Sequence, residues 1–136
     1  MLRLSAVLPV LAFSLALGVV AGCGGSNSSA EESTTPTEAV AEIGEIKTLL
    51  DTAVDQVRAG DAETAEETVG NAYLEHFEHV EAPLGARDHD LMEELEEAIS
   101  TDLRNEIKSG KSADEIKGKV DEIDADLDRA VEVLQG

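Results

Sequence analysis

Basic residues are scarce in this chain: ten Lys and Arg stand against 30 Asp and Glu over 136 residues, for a formal net charge of −20. A phosphate backbone is held by a basic surface, so nucleic acid is excluded as the default partner. Cysteine occurs once, at Cys23, which excludes an internal disulfide and any zinc site built on several thiolates. Trp is absent, and one Tyr and two Phe are the only aromatics, so the core has to be built from aliphatic side chains and Ala. One domain is expected at this length, with no room for separate cofactor and substrate domains. Motifs of catalysis are missing too: there is no Gly-rich phosphate loop, no H-E-x-x-H and no G-x-S-x-G. Nor is there the E-x-x-H of di-iron bundles, because Tyr73, His76 and Ala86 stand three residues before His76, His79 and His89. An enzyme is not expected.

What is present begins with a leader. Arg3 precedes a run from Leu4 to Val20 that is apolar apart from Ser5 and Ser14 and is interrupted by Pro9 and Gly18. It ends in Val20-Ala21-Gly22-Cys23, which resembles the lipobox of prokaryotic lipoproteins. That resemblance implies a signal peptide over residues 1–22, cleavage before Cys23, and a lipid on that Cys as a membrane anchor. The alternative is an uncleaved signal anchor, for which the run is short and its Pro and Gly are unfavourable. Either way the remainder is expected outside the cytoplasm, at the cell membrane or in the periplasm. Residues 23–36 are small, polar and acidic, too poor in apolar surface to fold, and read as a flexible tether.

Residues 37–136 carry apolar side chains at helical spacing and no strand-like alternation. Ala39, Ile43, Ile46, Leu50, Val54 and Val57 form one stripe, closed by Gly60 as a left-handed cap. Asp61 caps a second helix bearing Ala62, Ala65, Val69, Tyr73, Phe77, Val80 and Leu84, with a kink or stop expected at Pro83 and Gly85. Asp88 caps a third, with Leu91 or Met92, Leu95, Ile99, Leu103 and Ile107 leading to Gly110. Ser112 and Glu115 have the spacing of a capping box before Ile116, Val120, Ile123, Leu127, Ala130 and Leu134. Four helices with short connections predict an all-α, antiparallel up-down-up-down four-helix bundle.

The chemically dense string is Tyr73-Leu-Glu-His-Phe-Glu-His-Val-Glu81. Glu75, Glu78 and Glu81 follow each other at i,i+3, Glu75 and His79 stand at i,i+4, and His76 and His79 at i,i+3, spacings that bring side chains together. Mixed oxygen and imidazole donors suit iron, copper, zinc or manganese better than calcium. With Phe77 at the centre of the buried face, a turn of about 100° per residue places Glu81 about 40° off centre and part-buried. His76 and Glu78 then fall on opposite flanks, about 100° away, and Glu75 and His79 point outward. Glu66 also points inward. Antiparallel pairing puts Glu96 opposite Glu78, with Asp88, His89 and Glu93 at the start of the third helix, near the bundle end, as further candidate ligands. In a chain this acidic, however, carboxylate pairs arise readily, and a merely solvated charged face explains the same string.

The stretch from Leu49 to Gly110 resembles the extracytoplasmic helical domain of bacterial high-affinity iron permeases. The resemblance rests on Gly60-Asp61, on Ala72, Tyr73, Phe77, Glu78 and Glu81 in an A-Y-x-x-x-F-E-x-x-E pattern, and on Arg87-Asp88. It implies a four-helix domain on the outer face of the membrane, associated with iron uptake, in which Glu78 and Glu81 are the first positions to carry over. No apolar run follows the domain up to Gly136, so a free-standing module working beside an iron permease is expected rather than a conducting protein. The imelysin-like periplasmic lipoproteins offer a looser analogy, since their H-x-x-E signature is absent. Two functions thus compete: capture of iron, and an acidic helical interaction module of the envelope without a specific metal site. The acidity itself fits cation capture and adaptation to high salt equally.

Overall fold

A computed structural model describes residues 34–136; the leader, Cys23 with its expected lipid, and all but the last three residues of the tether lie outside the described residues. Of those described, 87% are helical and none is in a strand, as the apolar periodicity requires.

Helix α1 (Pro36–Arg58) opens on a capping box that the sequence reading above does not include. The Thr35 hydroxyl accepts from the Glu38 N–H at 3.3 Å, while the Glu38 carboxylate accepts from the Thr35 N–H at 2.8 Å. Pro36 follows as the first helical residue, where its fixed φ fits and its missing N–H is not needed. At the other end Gly60 adopts φ +86°, and the Asp61 N–H returns to the Gln56 carbonyl at 2.9 Å.

Helix α2 covers residues 62–85 in three consecutive stretches: α-helix at Ala62–Asn71, π-helix at Ala72–Phe77, and α-helix at Glu78–Gly85. Asp61 caps it through the Thr64 N–H at 3.1 Å. Pro83 is accommodated inside the last stretch, and the helix ends at Gly85. Helix α3 covers residues 89–108 in the same manner, as α-helix at His89–Glu97, π-helix at Ala98–Leu103 and α-helix at Arg104–Lys108. Helix α4 (Ala113–Gln135) starts at the capping box of Ser112 and Glu115, as expected.

The π segments follow from apolar spacing. In α3 the buried residues are Leu91, Leu95, Ile99, Leu103 and Ile107, four steps of four with no step of three. Each such step advances a straight α-helix by about 40° past a full turn, so the stripe would drift off the core. A wider turn with i→i+5 bonds takes up one extra residue and returns Leu103 and Ile107 to the interior. In α2 the same happens between Ala72 and Phe77, both fully buried and five residues apart. By contrast α4 steps by four and three, and its six buried residues are the six of the expected stripe.

All four helices contribute to one core, with Phe77 its only aromatic of full burial and Tyr73 packed at its edge. α1 packs against α2 and α4, and α3 against α2 and α4. Polar ties cross these seams: Lys47 to Asp128 at 2.7 Å between α1 and α4, and Glu66 to Arg104 and Lys108, both at 2.8 Å, between α2 and α3. No described helix is long and apolar enough to cross a membrane.

Candidate functional site

The dense string of α2 is divided by the helix itself. Its π segment ends at Phe77, whose ring is buried, and the residues on either side of Phe77 go to different neighbours. Tyr73 and Glu81 turn toward α3, where the Tyr73 hydroxyl donates to Glu96 Oε1 at 3.4 Å. His76 turns toward α1, where its Nδ1 lies 2.7 Å from Glu42 Oε2. Glu75, Glu78 and His79 are exposed. The wheel about Phe77 anticipates this split: Glu81 is the part-buried carboxylate, and His76 and Glu78 lie on opposite flanks.

On the α3 side, Tyr73, Glu78, Glu81 and Glu96 form an oxygen-rich patch. The Tyr73 ring stacks on Phe77 with centroids 6.0 Å apart, which fixes where its hydroxyl goes. Burial and the neighbouring Glu81 carboxylate push the Tyr73 phenol up to about 12. Glu81 is raised above the ordinary carboxylate range, chiefly by burial and further by the charges of Glu96 and Glu78, with the Tyr73 hydroxyl acting in the opposite sense. Its Oε1 is buried with no hydrogen-bond partner, so the tyrosine relieves it only in part.

Glu66, the other inward acid of α2, is the useful contrast. Lys108 and Arg104 both bond its Oε1 at 2.8 Å and hold its pKa below the usual value. Glu81 has no basic partner among the described residues. Asp124 on α4 also has a buried, unpartnered oxygen and a pKa raised by burial, but the charges of Lys47 and Lys117 offset part of that.

The further candidates on α3 are placed otherwise. Asp88 accepts from the Leu91 N–H at 3.1 Å and serves as the helix cap. His89 and Glu93 are exposed and face each other at 3.4 Å on their own helix. Neither pair reaches the Tyr73 patch through any described contact, whereas Glu96 does. Glu42, which the sequence reading does not single out, is the partner of His76; its signal is only the i,i+4 spacing of Glu38 and Glu42 on the face of α1 that meets α2. Among the described residues no three His, Cys, Asp or Glu side chains stand already arranged to hold a metal ion.

Comparison with protein-family models, with curated proteins and with solved structures finds no match to this chain.

Proposed function

We propose that the chain is a lipid-anchored extracytoplasmic protein that captures a hard metal cation, iron foremost, at the α2–α3 seam and passes it to a membrane permease. The observation that carries this is Glu81: an inward carboxylate with an unpartnered buried oxygen, next to Glu96, Glu78 and a phenol, with no basic side chain to neutralise it. A bound cation would remove that repulsion and supply the missing partner. With the imidazoles turned to α1, the donors here are oxygens alone, which suits Fe³⁺ better than copper or zinc. The net charge of −20 concentrates cations near the surface, and the carboxylates close on one as it arrives. Exposed Glu78 is the edge from which the ion leaves. Lipid on Cys23 keeps the domain at the membrane, within reach of the permease.

The same reading includes antiparallel up-down-up-down topology. Support comes from side-chain pairs across α2 and α3: a shift of seven residues from Glu66 to Tyr73 is matched by a shift of eight back, from Arg104 to Glu96. Neighbours that run in opposite directions pair in this way.

The test is competition of the purified full chain against a weak Fe³⁺ chelate, with and without Glu81→Gln and Glu96→Gln. One saturable equivalent is expected, weakened at least about tenfold in the double variant. Equal binding by both, or diffuse binding suppressed by moderate salt, would leave an acidic interaction module in its place.

A further inference from the structure

The seam between α1 and α2 gathers a second set of ligating groups, of different chemistry from the first and on the opposite flank of α2. Glu38 and Glu42 stand at i,i+4 on α1, and His76 and His79 at i,i+3 on α2. Glu42 Oε2 meets His76 Nδ1 at 2.7 Å, both side chains being about three-quarters buried, at 30% and 26% exposed. One turn further along, Glu38, Glu42 and His79 line an open recess of about 270 Å³ together with Thr34. Among the described residues no Lys or Arg forms an ion pair with Glu38 or Glu42, while each of Glu66, Asp102, Glu106 and Asp128 has such a partner. Glu38 gives one oxygen to the Thr35 cap and keeps the other free.

Two carboxylates and two neutral imidazoles balance one dication, and this mixture of donors belongs to borderline metals rather than hard ones. We infer that the α1–α2 seam is a second cation site, for a divalent ion of the Zn²⁺ or Cu²⁺ class, with His76, His79 and Glu42 as ligands and Glu38 closing the set. The metal takes the place of the proton between His76 Nδ1 and Glu42 Oε2: bonds form from the metal to both atoms, and the proton shifts through solvent to His76 Nε2, so that the imidazole stays neutral. His79 and Glu38 turn inward from the walls of the recess. His76 and Glu42 already touch, and Glu42 shares the recess with Glu38 and His79, so Glu42 links the two halves of the set and side-chain rotation is what completes it.

The experiment titrates the purified full chain with Zn²⁺ and with Cu²⁺, reading stoichiometry by calorimetry and nitrogen coupling on bound Cu²⁺ by electron paramagnetic resonance. One equivalent is expected, with couplings from two imidazoles. His76→Gln with His79→Gln should abolish the couplings and weaken binding at least about tenfold, with helical circular dichroism unchanged. Glu81→Gln should leave both intact, which separates this site from the iron-binding patch. His89→Gln is the control, since His89 lies on α3 against Glu93. Absence of a saturable equivalent, binding that survives loss of His76 and His79, or equal dependence on His89 would overturn the inference.

Discussion

Glu66 and Glu81 lie on one helix and both turn inward, yet their surroundings drive them in opposite directions. Two cations hold Glu66 ionised, whereas burial and two acidic neighbours disfavour the ionised form of Glu81. At pH 7 Glu81→Gln should therefore raise stability by roughly 1 kcal/mol, because it deletes a buried charge that lacks a partner. Thermal melts will check this. The gain should shrink as the pH falls through the raised pKa of Glu81, where the wild-type carboxyl becomes neutral as well. Glu66→Gln should destabilise at pH 7, and its effect should vanish at low pH for the converse reason: a lowered pKa gives stability that is lost as the acid protonates. That Glu81 points inward was legible in the sequence, since the position of Phe77 fixes it by rotation. Its lack of a cation was not, because that depends on which residues of α3 it meets. Glu42 was illegible for the same reason, since only the seam between α1 and α2 brings it to His76.

At the scale of elements, caps are the most readable feature and turn geometry the least. Asp61, Asp88 and Ser112 each accept the backbone N–H that their spacing predicts. The Thr35 box was hidden because Thr35 sits at the end of a stretch whose composition reads as tether. Ser112→Ala should cost about 1 kcal/mol in chemical denaturation, the ordinary worth of an N-cap. Gly110, at φ +78°, should lose about as much on change to Ala, since an L side chain is strained there whatever space surrounds it. The π segments were written in the four-residue steps of α3, although a stripe read residue by residue does not disclose how the backbone absorbs the drift. If that is their origin, deleting Ser100 converts one step of four to three and should preserve a cooperative melt. Deleting Glu122 from α4, whose steps already alternate, should displace Ile123 and the residues after it from the core and abolish the transition.

For the whole molecule the dominant quantity is charge. Glu81 and Asp124 have raised pKa values from burial, so their contribution to stability grows as pH falls from neutrality, and relief of self-repulsion acts in the same direction. Glu38, Glu66 and Glu115 have lowered values and contribute stability that is lost on further acidification. Stability should accordingly be greatest near about pH 5 and fall below about pH 4, with a gain from added salt at pH 7 that diminishes at the optimum. The all-helical class and the four helices were legible from periodicity and caps alone. Which carboxylates meet across the seams was not, because that is a property of helix pairing. The central claim concerns one such meeting, at Tyr73, Glu81 and Glu96, and because Tyr73 is the only tyrosine of the chain its phenol reports on that place alone. The most direct measurement is the visible absorption of the chain loaded with Fe³⁺. A phenolate-to-iron charge-transfer band that saturates at one equivalent and disappears in Tyr73→Phe is the result expected; a colourless complex, or a band unchanged by that substitution, would contradict it.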